Sequence, residues 1–558
     1  MEWLNELFRD PASAAHTVLI ISLVATTGLI VGSIRVFGIN LGVAGVLFAG
    51  LVFGHYQFKL DETVMDFARE FGLIIFVYTI GLQVGPGFLA SFRRQGLPLN
   101  LMAAVIVLLG AILTIVLAGS MGLEIPVAVG IFSGATTSTP SLAAAQQAIR
   151  QVPHQPGDLS GPGLGYAVAY PFGVIGIILS MIAVRSLFKI DLKREAEALS
   201  QSQDGSGSGL ATVNLVVRNP QIQGARIKDL PIVGEHNVVI SRILKGGHLE
   251  VARPETTLDV SDIVLAVGPK ERLEQLKLII GNESSVDLRL IPSNITTRRI
   301  VITQPKALGK TIPELDLVRR YGVNITRVSR AEIDFAPTPQ FRTQFADTVM
   351  AVGDSAAIEQ VARELGNSLK QLNSPRLAPI FLGLALGIFL GSMPVRVPGV
   401  PAPVTLGLAG GPLLAAIVLS RIGRIGPLIW YMPISANFML RQLGIVLFLA
   451  CVGLRAGDRF IPTLLGGSGL LWVCTGALIT LVPLLGVAVA ARFFFKLNYL
   501  TLCGLMAGST TDTAALAFAT QMANSDAPSV SYSTVYPLVM LLRVICAQAM
   551  VLFFMPYL

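Results

Sequence analysis

Apolar residues run in long unbroken stretches at both ends of the chain and alternate with polar ones in its middle. Residues 99–121, 165–184, 377–393 and 472–491 each approach the roughly 20 apolar positions that cross a bilayer. Residues 16–34 read as the first span. Glu2, Glu6, Arg9 and Asp10 precede it, which is not the basic start of a cleaved signal peptide. Three blocks result: 1–188 apolar, 189–375 mixed with strand-like alternation, and 376–558 apolar again. The pattern predicts an α-helical polytopic membrane protein with small α/β domains inserted between two membrane halves. The expected boundaries are a transmembrane repeat over 1–188, a linker over 189–209, α/β domains over 210–284 and 285–370, and a second transmembrane repeat over 371–558. The stretch 203–209, Gln-Asp-Gly-Ser-Gly-Ser-Gly, has the composition of a flexible linker.

The middle block repeats itself. Asn219-Pro220 through Gly224 parallels Gln304-Pro305 through Gly309, and Arg242, Pro254, Asp262 and Gly268 parallel Arg327, Pro339, Asp347 and Gly353. The spacing holds at 85 throughout (305−220, 353−268). Each copy predicts one small α/β module whose buried strand ends in Ala-Val-Gly at 266–268 or 351–353. The pattern resembles the RCK_C (TrkA_C) subdomain of potassium-conductance regulators over about 210–367. That resemblance implies a dimerising or ligand-sensing unit, hence a homodimer and a regulatory ligand of unspecified chemistry. One departure stands out: Ser261-Asp262 and Ala346-Asp347 occupy the turn where that family usually carries Gly-Asp. No GxGxxG is present for a nucleotide-binding half.

The membrane halves also repeat. Gly28, Gly32 and Ser33 match Gly387, Gly391 and Ser392, and Leu41 to Gly45 matches Leu406 to Gly410. Gly81-Leu82-Gln83-Val84-Gly85 matches Gly453-Leu454-Arg455-Ala456-Gly457. Gly134-Ala-Thr-Thr-Ser-Thr139 matches Gly508-Ser-Thr-Thr-Asp-Thr513, and Tyr170-Pro171 matches Tyr536-Pro537. Internal repeats of this kind mark secondary transporters. The basic clusters Arg93-Arg94, Arg185 to Arg194, Arg421/Arg424 and Arg492/Lys496 belong in the cytoplasm by the positive-inside rule, and the acidic loop 55–70 outside. The chain between Arg94 and Arg185 must then cross an even number of times. The Gly- and Thr-broken segments 126–147 and 500–522 are therefore expected to be re-entrant. Each half has five spans plus one such segment, and an odd count inverts the second repeat. Both termini lie outside and 189–375 inside. Arg455 and Arg459 then fall outside against the rule. The rival arrangement has six crossings per half and parallel repeats.

Irregular backbone at membrane depth is tolerated only where it is buried in protein or lines a wet cavity. Thr136, Thr137, Ser138, Thr139 and Pro140, with Thr510, Thr511, Asp512 and Thr513, are therefore the candidate substrate site. Close helix packing by small residues would leave the same composition. Asp512 is the acidic member of this region, and a carboxylate there could take an ammonium, Na⁺ or H⁺. Arg543 could hold a substrate carboxylate or neutralise Asp512. Helix starts at Pro140 and Ala514 would aim N–H groups at an anion. Gln83, Arg455, Tyr170 and Tyr536 are candidate pathway residues. Snorkelling is the plainer role for Arg455, and both Tyr-Pro pairs predict broken helices.

Composition narrows the function. Of 558 residues 53% are hydrophobic and 14% charged, and the net charge is +8. The excess cations flank apolar runs, which orients a membrane protein and needs no nucleic acid as partner. Cys451, Cys474, Cys503 and Cys546 form neither CxxC nor Cys/His clusters, so no metal is expected. No Walker A, HExxH or GxSxG motif occurs, so no enzyme and no cofactor is expected. The paired Gly-Ala-Thr-Thr-Ser-Thr-Pro140 and Gly-Ser-Thr-Thr-Asp-Thr513 segments, split by two RCK_C-like modules, resemble the aspartate:alanine exchanger family over nearly the whole chain. That resemblance implies exchange of small carboxylate-bearing metabolites across the bacterial inner membrane. It implicates 134–141, 508–515, and the spans 72–88 and 444–460. A monovalent-cation transporter gated by its RCK_C-like modules is the alternative, and a membrane-anchored sensor a third.

Overall fold

The computed structural model describes residues 10, 13–36, 39–40, 42–56, 58, 60–86, 96–151, 160–206, 210–233, 238–330, 333–394, 406–466, 468–523, 525 and 527–555. Arg93, Arg94, Phe88 and the end of the linker at 207–209 lie outside these. Contacts divide the chain into two compact units. One comprises residues 1–199, 380–419 and 434–558, and the other 200–379 and 420–433.

The first unit is helical. Its first half runs α1 (Ala14–Ser33), a two-residue hairpin β1 (Arg35–Val36) and β2 (Ile39–Asn40), α2 (Gly45–His55), α3 (Glu62–Val84), α4 (Leu97–Met121), α5 (Ile125–Ala135), α6 (Thr139–Gln151) and α7 (Ser160–Leu187). Helix α8 (Leu192–Ser206) follows, so the stretch read as a flexible linker is helical as far as Ser206. The second half repeats the series as α9 (Leu377–Ser392), α10 (Gly407–Ile422), α11 (Ile434–Leu465), α12 (Ser468–Phe495), α13 (Tyr499–Ser509), α14 (Thr513–Ala523) and α15 (Ala527–Phe554). Each helix of the first half thus has its mate eight labels later. Among the described residues seven helices are long and apolar enough to cross a membrane.

Two sequence expectations are corrected at this level. Residues 62–70 are the first turns of α3, capped by the Asp61 side chain on the Val64 amide at 2.9 Å, and not part of a loop. Helices α7 and α15 also run unbroken through Pro171 and Pro537. A proline removes one backbone hydrogen bond and crowds the preceding turn. Here the flanking Tyr166–Tyr170 and Tyr532–Tyr536 ring pairs, each 5.3 Å between centroids, pack along the same turns.

The direction of the helices follows from residues in contact. Gly130 faces Pro162 and Gly134 faces Tyr166, so α5 and α7 run the same way. A straight helix over 125–151 would be about 40 Å long at 1.5 Å per residue. The link to Ser160 can reach at most about 30 Å. Helix α6 must therefore fold back toward the end from which α5 set out. In the second half Gly504 faces Pro528 and Gly508 faces Tyr532, and only residues 524–526 separate α14 from α15. Both broken segments are hairpins, not crossings.

Mates that touch each other run in opposite directions. On α3 and α11, Thr79 meets Asn437, Gly72 meets Gly444, and Asp66 meets Arg455. On α4 and α12, Met121 meets Thr475 and Gly110 meets Pro483. Parallel repeats would align such mates, so the repeats are inverted. Gly72 and Gly444 sit where the two copies cross. A Cβ on Gly72 would stand 2.8 Å from the Gly444 carbonyl oxygen, and one on Gly444 2.5 Å from that of Gly72.

The helices form two bundles. Helices α1–α3 and α9–α11 make a panel, with α11 packed along α2 and α3, and α3 against α10. Helices α4–α7 and α12–α15 make a core, with α5 on α7, α13 on α15 and α6 on α15. Panel and core meet mainly where α11 runs beside α7.

The second unit holds two antiparallel sheets. The first has the order β5-β4-β6-β3-β7, formed by β3 (Ala211–Val217), β4 (Val239–Lys245), β5 (His248–Val251), β6 (Ile263–Gly268) and β7 (Gly281–Glu283). The second has the order β10-β9-β11-β8, from β8 (Ile295–Val301), β9 (Asn324–Arg330), β10 (Ile333–Phe335) and β11 (Thr348–Asp354). The helices Lys270–Ile280 and Ser355–Leu365 pack on them. A last hairpin, β12 (Arg424–Ile425) and β13 (Leu428–Ile429), joins this unit.

The repeat mates Arg242 and Arg327 each reach into the other module, Arg242 to the Thr297 hydroxyl at 2.8 Å and Arg327 to the Leu210 carbonyl at 2.7 Å. Burial pushes the Asp347 carboxyl above the usual range, and the Arg330 guanidinium, with two N–H groups at 2.7 Å, draws it back.

Ser261 and Ala346, the turn residues that depart from the expected Gly-Asp, have φ of +81° and +70°. A side chain in this left-handed region costs about 1–2 kcal/mol. Ala346→Gly and Ser261→Gly are expected to stabilise their modules, with the flexibility of glycine in the unfolded chain trimming the gain to about 1 kcal/mol. Slower amide exchange along β11 and β6 in the intact protein is the readout.

Candidate functional site

Helix α5 ends because Thr137 turns left-handed. Its φ is +51°, and its amide bonds to Gly134 while that of Ser138 reaches back to Ser133. The mate, Thr511, has φ +58° and the same pattern, Thr511 to Gly508 and Asp512 to Ala507. A β-branched residue at positive φ is a clear outlier, and strain of about 1–3 kcal/mol persists only where the surroundings impose it. Two outliers at matching hairpin tips argue that the hydroxyls are wanted there. The tips touch: the Thr137 hydroxyl donates to the Thr510 carbonyl at 2.9 Å. Thr136 and Thr510 turn their hydroxyls back onto their own helices, to Phe132 and Met506. Glycine at 137 or 511 relieves the strain. Thr137→Gly and Thr511→Gly are expected to hold the folded state at least as well as wild type in thermal unfolding, yet to transport more slowly.

Asp512 caps its own helix. One carboxylate oxygen accepts from the Ala514 and Ala515 amides at 2.7 and 2.8 Å. The expectation that the start of α14 offers free amides to an anion is thereby corrected, because Asp512 already occupies them. The second oxygen, Oδ2, has no hydrogen-bond partner of good geometry among the described residues, the nearby Thr137 hydroxyl being turned to the Thr510 carbonyl. Arg543 is 1% exposed and lies on α15. Its Nε and one terminal nitrogen donate to the Ser509 carbonyl, the last turn of α13, and its carbon stands 5.6 Å from the centre of the Phe132 ring. Its other terminal nitrogen, Nη1, has no partner among the described residues. No ion pair joins Arg543 to Asp512 among the described residues; the Arg543 donors are directed at the Ser509 carbonyl instead.

Around them Ser138 Oγ and Ser509 Oγ are also buried and unpartnered among the described residues. Ser133 and Ser141 bond to each other at 2.9 Å, and Ser141 reaches the Arg543 carbonyl at 3.5 Å. Thr139 meets the Tyr166 hydroxyl at 3.1 Å. Pro140 is the second residue of α6, where it needs no N–H. Thr513 is exposed.

The tip residues and Arg543 thus converge on one place, and Tyr166 and Ser509 join them. Tyr170 packs at a tilt on Tyr166, and Tyr536 stacks on Tyr532. Gln83 and Arg455 do not join this group. They stand toward opposite ends of the α3–α11 pair: Gln83 accepts from Arg441 at 3.0 Å, and Arg455 pairs with Asp66 at 3.2 Å. Arg455 is engaged by a carboxylate and does not snorkel. Asp66, Arg69 and Glu70 escaped the sequence reading because they were assigned to a loop. Counted inside the helix that ends in Gly-Leu-Gln-Val-Gly, they would have stood out as charges on an otherwise apolar helix.

The family profiles and the whole-length relatives agree with this architecture. The Asp-Al_Ex profile, a predicted permease membrane region, matches residues 20–186 and 379–552, and the TrkA-C domain matches 215–281 and 297–366. Relatives named "Putative transport protein" match along almost their full length. That of Photobacterium profundum is 46% identical over 96% of this chain and 98% of its own. That of Aeromonas hydrophila is 46% identical over the same shares, and that of Yersinia pseudotuberculosis 45% over 97% and 99%. Among solved structures the GsuK RCK domain is similar over 29% of this chain and 65% of its own, at 12% identity and a TM-score of 0.16. With both membrane halves matched by one profile and whole-length relatives at 45–46% identity, the chain belongs to the Asp-Al_Ex family of predicted permeases, as a member with two TrkA_C domains between its membrane halves.

Proposed function

We propose that this transport protein is an antiporter that exchanges amino acids or dicarboxylates by alternating access, the core bundle moving against the panel. The carrying observation is the set of buried polar atoms without partners at the hairpin tips: Asp512 Oδ2, Arg543 Nη1, Ser138 Oγ and Ser509 Oγ. Buried polar groups are almost always paired, and a bound substrate would pair these. A substrate carboxylate takes the free Arg543 nitrogen and the serine hydroxyls. An ammonium group, where present, takes Asp512 with the Thr137 and Thr511 hydroxyls. Exchange follows if the empty core, with these charges unmatched, crosses between states much more slowly than the loaded one.

In this reading the protein lies in the bacterial inner membrane with both termini outside and 189–375 in the cytoplasm. The TrkA_C domains regulate or dimerise it, and it works as a homodimer. The alternative, a Na⁺, K⁺ or H⁺ transporter, draws support from Asp512 being a buried carboxylate among hydroxyls.

Proteoliposomes preloaded with one unlabelled amino acid or dicarboxylate at a time separate the two. Exchange predicts uptake of labelled substrate only into loaded vesicles. Equal uptake into empty vesicles removes antiport. No organic uptake, with a Na⁺- or K⁺-driven pH change instead, transfers the case to the cation reading.

A further inference from the structure

The seam between panel and core carries a charged network at one end. On α3 the buried Arg69 lies 3.2 Å from Asp66 and 3.5 Å from Glu70. Arg455 of α11 also reaches Asp66, at 3.2 Å. These residues all belong to the panel. The one core member among the described residues is Arg150, in the last turn of α6. It meets Glu70 at 2.5 Å and Asp66 at 3.1 Å. Asp66, the carboxylate that Arg150 holds, also lines a small recess together with Met65, Arg69, Arg455 and Cys451 of the panel and Gln146 of the core.

The repeat-equivalent end has nothing comparable among the described residues. The mates of Asp66, Glu70 and Arg150 are Phe438, Gln442 and Asn524, none of them charged. The mate of Arg69 is Arg441, which meets Gln83 and lies over the Phe438 ring. The bundles are therefore tied by ion pairs at one end of the seam, and among the described residues those pairs pass through Arg150, at the foot of a hairpin whose other end forms the candidate site; beside them Arg459 of the panel donates to the Ser160 hydroxyl of the core at 3.4 Å.

We infer that Arg150 is a positioning residue of the transport cycle: its ion pairs with Glu70 and Asp66 latch the core to the panel and keep that end of the seam shut. The inference rests on the proposal that the core moves against the panel. Opening requires Arg150 to release both carboxylates, which then fall back on Arg69 and Arg455. Half-buried charges with alternative partners exchange at modest cost, so this latch is reversible.

Cys451 reports on it directly. It is 2% exposed, lines the recess, and needs no substrate to be probed. The full-length Cys474→Ser protein in detergent is treated with a maleimide, and the labelling rate at Cys451 is read by mass spectrometry, with the buried Cys503 and Cys546 as internal controls. Arg150→Gln is expected to speed Cys451 labelling about tenfold, while Arg150→Lys stays near the parent rate. Glu70→Gln gives the same acceleration and serves if Arg150→Gln does not fold. A parent-like rate in the folded glutamine variants overturns the latch, even if they unfold at lower temperature. So does equal acceleration at Cys503 and Cys546, which marks general loosening. Because labelling is independent of flux, a failure to find any exchanged substrate leaves this result standing.

Discussion

Asp512→Asn is expected to cut exchange roughly a hundredfold while the protein folds, reconstitutes and unfolds thermally like wild type. Asparagine caps a helix about as well as aspartate, so its carbonyl still accepts from the Ala514 and Ala515 amides and α14 still starts at Thr513. What disappears is the charge at Oδ2, which has no hydrogen-bond partner of good geometry among the described residues. A hydrogen bond to a charged group, or the penalty for leaving its partner unpaired, amounts to about 3 kcal/mol, and each 1.36 kcal/mol is tenfold. Asp512→Ala removes the cap too and is expected to lose about 1 kcal/mol of stability besides. Initial rates of counterflow beside a melting curve of the same preparation separate the two effects. A slow Asp512→Asn protein that also melts early would reduce Asp512 to a capping residue.

Arg543→Lys is expected to be nearly as damaging, although it preserves the charge. The guanidinium does two things at once. Its Nε and one terminal nitrogen hold the Ser509 carbonyl, where α13 ends, and its Nη1 is left over. Lysine has a single nitrogen at the end of a flexible stem and no planar fork. It can satisfy Ser509 or a ligand, not both in the arginine geometry. The folded core should survive, because Ser509 keeps a donor, and the apparent KM should rise about a hundredfold for carboxylate substrates. For a cation transporter the same substitution, which leaves the local charge unchanged, should alter little.

Much of this architecture was legible in the chain. The apolar runs, the constant 85-residue spacing of the modules and the ordered glycine motifs pointed to two membrane halves around two TrkA_C domains, which the family profiles match. The parity of basic loops also led to hairpins at 126–147 and 500–522, as the parallel pairs α5/α7 and α13/α15 have them. Charge parity succeeds here because lysines and arginines are costly to carry across a bilayer, whereas hydropathy alone treats a hairpin and a crossing alike.

Other features depended on tertiary context. Nothing local distinguishes Glu62–Glu70 as helix from an acidic loop. Asp61 as a cap followed by Glu62 was the available sign, and it was outweighed by the charge of the segment. Pro171 and Pro537 predicted breaks, but helix packing carried both helices through. The left-handed threonines at 137 and 511 could not be foreseen, since threonine avoids that conformation unless the surrounding structure imposes it. Asp512 as the cap of α14 was accessible, because Asp-Thr-Ala-Ala-Leu is an ordinary helix start. Its free oxygen and that of Ser138 were not, because an unpaired atom is a property of the assembled core.

If substrate is exchanged at the touching hairpin tips, variants at the tips must slow exchange. The most direct measurement is counterflow of a labelled amino acid or dicarboxylate into proteoliposomes loaded with the unlabelled compound, comparing wild type, Asp512→Asn and Arg543→Lys at equal reconstituted amounts. Rapid exchange by wild type, no uptake into unloaded vesicles, and a loss of roughly a hundredfold in either variant are expected. Exchange at wild-type rates in both folded variants would contradict this expectation and move the site away from the tips.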